Sequence, residues 1–423
     1  MFNIKLIREH PEIVKQNLKK KQASMDDFLK VIDLDKRYLK LKQNVESLRN
    51  QRNVASSEIN ELQKQGKNIK EKIKEVKEIP SRIEDIENKI EKIRKELDYY
   101  LHRIPNIMHP EVPIGKDSSE NKIIKKFGII QKFNFPVLNH VELGEKLGLF
   151  DFEASAETSG NGFYYLKGRL ALLNRALINF VIDIMESKGY TYIEPPLMVN
   201  KRIEVAKGDF DAFEKALYKI ENEDLYMIPT SEDAILGMMM DKHIQPEKLP
   251  LKFFSYSMCF RKEIGSHGIN EKGLWRTHQF NKVEQFIFCK PEDSWKFYEE
   301  LRKNSEELFQ KLKLPYRIVE CCTGDLALWK AKSEDIEVYR PTTKDYGEVT
   351  SLSNCTDYQA RDLNIKFKND KGENEVVHTL NNTAMATSRA LVAIMENYQQ
   401  KDGSIKIPEV LQKYTGFKEI KPQ

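Results

Sequence analysis

Between residues 34 and 97 the chain repeats apolar positions at alternating three- and four-residue spacing. Leu34, Tyr38, Leu41, Val45, Leu48, Ala55, Ile59 and Leu62 make one such seam, interrupted by Arg52. This spacing keeps the apolar side chains on one stripe of a long helix, the heptad pattern of a coiled coil. Gln65, Gly66, Lys67 and Asn68 break the seam with turn residues. A second seam follows through Ile69, Ile73, Val76, Ile79, Ile83, Ile86, Ile90, Ile93 and Leu97. It slips near Pro80, where a kink is predicted. Two helices of similar length around a turn near 65–68 predict an antiparallel two-helix coiled-coil arm. Each helix would reach about 40–50 Å at ~1.5 Å per residue. Upstream, residues 1 to 25 read as an extended piece and a short helix with Pro11 in its first turn.

The pattern changes after residue 103. Arg103 to Gly128 is rich in Pro and polar residues and reads as a linker, with a domain boundary near residue 105. Two domains are expected, an arm over 1–105 and a larger domain over 106–423. Leu170 to Lys188 has helical apolar spacing ended by Gly189, and a strand closed by Pro195 and Pro196 follows. Residues 201 to 226 read as an insertion or lid segment. Aromatic-rich alternation over 251–290 predicts antiparallel strands. A helix over 292–313, a strand over 316–320 with a turn after it, a strand over 376–380 and a helix over 384–399 complete the reading. No GxGxxG and no GxxxxGK[ST] is present, which argues against a Rossmann or P-loop site. The fold class expected is α+β, an antiparallel sheet flanked by helices.

Composition adds bounds. The 423 residues suit two or three domains, and 40% hydrophobic with 32% charged residues gives a core under a very polar surface. A net charge of +4 is no nucleic-acid signature by itself, but local patches matter more than totals. Lys64, Lys67, Lys70, Lys72, Lys74 and Lys77 crowd the arm's turn among Glu71, Glu75 and Glu78. Such an arm fits dimerisation, a structural spacer, or a basic finger for phosphates. Five cysteines without a secretory signal point to reduced thiols and a cytoplasmic location. The basic N-terminus carries Glu9 and Glu12, unlike a transit peptide. No apolar run approaches the ~20 residues of a membrane helix, and no CxxC or HxxxH pair suggests zinc.

The chemistry concentrates in the run from Phe260 to Glu284, FRKEIGSHGINEKGLWRTHQFNKVE. Arg261 and Arg276 flank a Gly-rich turn (Gly265, Gly268, Gly273), so two strands could aim both guanidinium forks at one polyphosphate. Phe280 offers a stacking face, and Glu284 a carboxylate for an ammonium or a hydroxyl. Other stretches join it: MIPTSEDA with Thr230, Ser231 and Glu232; EVTS from Glu348 through Val349 and Thr350 to Ser351; and HTLNNTAMATSRALVAIMENYQ with Asn381, Thr383 and Arg389. In this order the chain resembles a seryl-tRNA synthetase, a class II aminoacyl-tRNA synthetase, over essentially its whole length. The helix and strand over 170–200 resemble that class's motif 1, the Phe260–Glu284 run its motif 2, and the Arg389 stretch its motif 3.

The resemblance implies serine–tRNA ligase activity: ATP and L-serine give seryl-adenylate, and serine passes to the 3′ end of tRNA-Ser, with tRNA-Sec left open. Arg261, Arg276 and Arg389 would be the catalytic cations. Arg261 would bridge the α-phosphate and the serine carboxylate. Arg276 would hold the γ-phosphate, with Lys262, Glu263 and Thr277 beside the nucleotide. Phe280 and Arg389 would cover the two faces of adenine. Glu348, helped by Ser351, would ligate Mg²⁺, with Val349 and Thr350 lining the same strand. Thr230, Ser231, Glu232, Glu284, Asn381 and Thr383 would take L-serine. The arm would grip the long variable arm of tRNA-Ser, and the enzyme would be a homodimer of the zinc-free type, with no membrane partner. Three departures stand out: Asn382-Thr383 where bacterial relatives more often have Gly-Ser, Ser231 in place of Ala, and Asp362 where a second Arg is common. The stretch HTLNNTAMATSR looks more like the archaeal and eukaryotic cytosolic branch. A carrier-protein ligase of the same fold would lack the arm, and a non-catalytic relative would have lost the motif arginines.

Overall fold

The computed structural model describes residues 1–264 and 272–422. It divides into two compact units, Met1–Lys19 with Ala23–Ile104, and Lys20–Gln22 with Pro105–Gln423.

In the first unit, α1 (Ile4–Glu9), α2 (Pro11–Lys21) and α3 (Asp26–Lys64) precede the turn, and α4 (Lys70–Lys77) and α5 (Ile79–Arg103) return from it. The Asn3 side chain caps α1 by accepting from the Lys5 amide at 3.0 Å. Gly66, at φ +69, makes the turn. The slip in the second seam is a break at Glu78, with Pro80 in the first turn of α5, where its missing N–H has no intrahelical partner to lose. Val45, Leu48, Ile79 and Ile83 form a buried cluster backed by Ile86 and Ile90. Burial then thins towards the turn: α4 has no buried residue, and Ile73 is exposed. Arg49 reaches from α3 to Glu87 on α5 at 2.8 Å, and Lys72 pairs with Glu58. Exposed pairs of this kind contribute only ~0–1 kcal/mol, so the apolar seam holds the hairpin. Arg8 grips the buried Asp35 with two hydrogen bonds, at 2.6 and 2.8 Å, and ties α1 to α3.

The second unit is built on an eight-stranded sheet: β1 (Lys122–Phe127), β2 (Thr191–Ile193), β3 (Leu251–Phe260), β4 (Gln279–Cys289), β5 (Tyr316–Glu320), β6 (Lys332–Arg340), β7 (Asp345–Thr356) and β8 (His378–Ala386). The spatial order is β1-β5-β6-β7-β8-β4-β3-β2. All pairs are antiparallel except β2 with β3. Helices α6 (His140–Lys146), α7 (Gly168–Ser187), α8 (Ser231–Met239), α9 (Ser294–Lys311) and α10 (Thr387–Tyr398) flank it. Leu170, Leu173, Leu177, Phe180 and Met185 of α7 share one buried core with Leu301, Leu308 and Phe309 of α9 and Leu391 to Met395 of α10. Gly189, at φ +79, ends α7 and turns the chain into β2.

Three expectations change. The linker over 103–128 contains β1, an edge strand paired with β5. All six of its residues are exposed, so no alternation marked it; backbone pairing, the Phe127 ring stacked 5.1 Å from that of Tyr316 and the Lys125–Glu306 ion pair hold it. The strand expected over 376–380 runs from His378 to Ala386, and the helix starts at Thr387 rather than residue 384. Asn381 to Thr383 read as loop residues, yet they sit in ladder register with Phe286, Gln285 and Glu284. The hairpin of β6 and β7, central in the sheet, was not foreseen: its strands carry Glu, Asp, Ser and Asn. Among the described residues, no helix is long and apolar enough to cross a membrane, and all five cysteines are buried free thiols.

Candidate active site

β3, β4, β8 and β7 place their side chains around one cavity of about 490 Å³. Arg261 immediately follows β3. Its amide donates to the His278 carbonyl at 2.9 Å, and its carbonyl accepts from His278 Nδ1 at 2.9 Å. These bonds close the hairpin on both sides of the turn, so Arg261 and Arg276 line the same cavity, as their spacing suggested. Gly265 and Gly268 lie outside the described residues. Gly273 has φ +148, and a Cβ there would lie 2.7 Å from His140 Nε2, so that position requires glycine.

One end of the cavity gathers Arg276 and Arg389, each paired with a carboxylate. Arg276 pairs with Glu263 at 2.9 Å. Arg389 of α10 donates to the Glu348 carbonyl at 2.8 Å, pairs with its carboxylate at 3.3 Å, and donates to the Trp275 carbonyl at 3.3 Å. The Arg261 guanidinium lies 5.2 Å from the Phe280 ring centroid, and that of Arg389 lies 5.5 Å from Trp275. Phe280 and Arg389 therefore both face the cavity, each with a stacking neighbour already in place. Thr277, Glu348, Val349, Thr350 and Ser351 line the same space.

The other end is small and buried. Thr230 caps α8: its Oγ1 accepts from the Glu232 amide at 3.3 Å and from Lys282 Nζ at 2.6 Å. Lys282 also pairs with Glu284 at 2.6 Å, and Thr383 Oγ1 donates to Glu284 Oε2 at 3.2 Å. Glu232 accepts from Gln359 at 2.6 Å. Burial pushes both Glu232 and Glu284 above the usual carboxylate range, against the pull of neighbouring lysines. The Asn381 amide nitrogen is buried without a hydrogen-bond partner and lines the cavity. An orphaned donor beside two carboxylates and a hydroxyl suits a small zwitterion with a polar side chain.

Two expected residues are not brought in. Ser231 is fully buried but does not line the cavity. Lys262 turns its ammonium to the Tyr218 ring, 5.6 Å from its centroid. The Asn382 substitution also faces away, donating to the Leu301 carbonyl and Ser305 Oγ at 2.9 Å each, while Thr383 faces in. Sequence reasoning missed several lining residues, among them Lys207, Trp275, Lys282 and Lys330. Lys282 was findable, since it alternates with Phe280 and Glu284 on one face of β4. Lys207 had no signal. It is buried between Glu204 at 2.7 Å and Asp233 at 2.9 Å. Burial pulls its ammonium down, but the two carboxylates outweigh this and hold it above the ordinary lysine range. Lys330 donates to Ser351 and Ser333 hydroxyls at 3.3 Å each.

Most of this sheet, the paired arginines and the cavity lie in the part of the chain that matches a class II aminoacyl-tRNA synthetase core. Residues 214–398 match the tRNA synthetase class II core domain (G, H, P, S and T), and residues 1–108 match the seryl-tRNA synthetase N-terminal domain. A serine–tRNA ligase of Methanospirillum hungatei is 46% identical over 99% of this chain and 100% of its own. That of Pyrococcus furiosus is 46% identical over 100% of this chain and 98% of its own. The crystal structure of seryl-tRNA synthetase from Pyrococcus horikoshii complexed with ATP superposes with TM-score 0.94 at 43% identity, covering 100% of both chains. The cytoplasmic serine–tRNA ligase from Naegleria fowleri in complex with AMP gives 0.88 at 34% identity, over 100% of this chain and 99% of that one. This chain belongs to the seryl-tRNA synthetase family.

Proposed function

We propose that this protein is a serine–tRNA ligase that activates L-serine with ATP and transfers it to the 3′ end of tRNA-Ser. The observation that carries the reading is the convergence of Arg261, Arg276 and Arg389 with Thr230, Glu232, Glu284, Asn381 and Thr383 on one cavity. The serine ammonium meets Thr230, Glu232 and Glu284, and its hydroxyl meets Thr383 and Asn381. Arg261, between the two ends, holds the carboxylate beside the α-phosphate. A carboxylate oxygen then bonds to the α-phosphorus as the bond to pyrophosphate breaks. Arg276, drawn from Glu263, neutralises the γ-phosphate, and the base lies between Phe280 and Arg389. A terminal ribose hydroxyl of the tRNA next attacks the acyl carbon and AMP leaves. Such chemistry depends on positioning and charge stabilisation rather than on an acid–base dyad.

Glu348 and Ser351 would hold Mg²⁺. They offer only oxygen donors, suited to a hard ion, and both line the cavity. Bound there, the ion supplies charge neutralisation on the phosphates. The arm over 1–105 takes the long variable arm of the tRNA, supported by exposed lysines 64, 67, 70, 74 and 77 around its turn. The unit over 106–423 is the catalytic domain. A cytoplasmic location is supported by the five free thiols, and a homodimer by exposed apolar residues on and after α7, including Leu172, Leu197 and Met198. Amino-acid-dependent ATP–pyrophosphate exchange, run across twenty amino acids with Mg²⁺ and no tRNA, tests the central reading. Exchange with serine is expected. Exchange with another amino acid alone, or none from folded protein, would overturn it.

A further inference from the structure

Behind the end of the cavity that holds Arg276 and Arg389 runs a buried polar chain that lines no part of it. Glu396, on α10, is 0% exposed. Its Oε1 accepts from Arg340 Nη2 at 3.0 Å and faces His140 Nδ1 at 3.3 Å; its Oε2 accepts from Thr342 Oγ1 at 2.7 Å. His140 Nε2 in turn accepts the Leu274 backbone N–H at 3.1 Å. A backbone N–H can only donate, so Nε2 carries the lone pair. The proton then sits on Nδ1 and is donated to Glu396, which selects one tautomer of a neutral ring. Burial would raise the Glu396 carboxyl, but the bonds from His140, Arg340 and Thr342 outweigh it and hold the group below the ordinary glutamate range.

The other branch of the chain is a stack. The Arg340 guanidinium lies 4.4 Å from the centroid of Trp275, the ring that Arg389 also approaches. Trp275 is seated against β7 so closely that a Cβ on Gly347 would lie 2.2 Å from its Cζ2. Trp275 also accepts from Arg389 through its carbonyl, and it immediately precedes Arg276. The two branches thus end on adjacent residues, Leu274 by its amide and Trp275 by its ring, with Arg276 next in the chain. A buried ionic cluster adds little net stability over an apolar replacement, and its best-attested use is to fix register. Here the register it fixes is that of the segment leading into β4 against α10.

We propose that Glu396 is a positioning residue for nucleotide binding: through His140 and Arg340 it holds Leu274 and Trp275 so that Arg276 and Arg389 meet the polyphosphate and the base. This rests on the nucleotide reading of the cavity given above. Glu396→Gln keeps the shape, but its amide cannot accept from all three donors. Arg340→Lys keeps the charge and loses the planar stack. Serine-dependent ATP–pyrophosphate exchange is measured for the full-length wild type and both variants with each substrate varied. Hydrogen exchange at the Leu274 amide is followed in parallel. The expected result is a KM for ATP raised ~10-fold in Glu396→Gln and severalfold in Arg340→Lys, with the KM for serine within ~2-fold. Leu274 should lose protection while β4 and β8 keep theirs. A lowered melting temperature or kcat with both KM values unchanged would mean a purely structural role and overturn the proposal. If Glu396→Gln does not fold, Arg340→Lys decides by the same criterion. Exchange by the wild type with unchanged variants sinks this proposal alone, whereas no exchange by the wild type sinks the nucleotide reading with it.

Discussion

Thr383 offers a test of how serine is selected. Its hydroxyl donates to Glu284 at 3.2 Å, and it lines the buried end of the cavity. Thr383→Val keeps the branched shape and removes the donor. A hydrogen bond to a charged group contributes ~1.5–3 kcal/mol, and each ~1.4 kcal/mol is tenfold in rate or affinity. The value of kcat/KM for serine in ATP–pyrophosphate exchange should therefore fall about 10- to 100-fold. Thr383→Ser does the reverse: it keeps the donor and removes one methyl from the pocket wall. At ~0.8 kcal/mol per methyl-sized group, discrimination against threonine should weaken about fourfold. The assay compares serine, threonine and alanine on the wild type and both variants, with protein folding checked by thermal unfolding. Full serine activity in Thr383→Val would refute the hydrogen-bond argument. Unchanged threonine rejection in Thr383→Ser would show that the methyl is not what closes the pocket.

Three more outcomes are expected. Burial holds Glu284 above the usual 4.5, and its charged form is the one that binds an ammonium. On acidification the KM for serine should rise at a pH above 4.5; a profile that stays flat from about pH 8 down to pH 4.5 would refute this. Replacing the exposed lysines Lys64, Lys67, Lys70 and Lys74 with Gln should raise the KM for tRNA and lower the salt slope of tRNA binding by ~1 for each phosphate no longer neutralised, leaving tRNA-independent exchange intact. An unchanged slope would return the arm to a spacer role. Gly347→Ala should push Trp275 off its seat, given the 2.2 Å approach, and weaken ATP binding in calorimetry more than serine binding; equal affinity for ATP would mean the ring has room to adjust.

The sequence alone determined the arm, the order of the motif segments and most of the residues around the cavity. Heptad spacing is local information, and its apolar seam dictates two helices and a turn whatever else the chain does. Arg261, Arg276, Phe280 and Glu284 stood out by residue type and spacing, whereas Thr230, Glu232, Glu348, Asn381 and Thr383 were legible only through the resemblance of their segments to the family's. Only the tertiary structure decided the rest. β1 was hidden because an edge strand is held by backbone bonds that composition does not encode. β8 was cut short because Asn381 and Thr383 look like loop residues until Glu284 and Phe286 stand opposite them. Lys207 is a surface-type residue in any linear reading, yet it is buried between Glu204, three residues upstream, and Asp233, which α8 brings to it. The polar chain from Glu396 to Leu274 spans residues 140, 274, 340 and 396, a juxtaposition that exists only once α6, β6 and α10 have packed. Local spacing specifies what a segment is; which buried charge it meets depends on long-range packing, because that pairing stabilises only groups already removed from water.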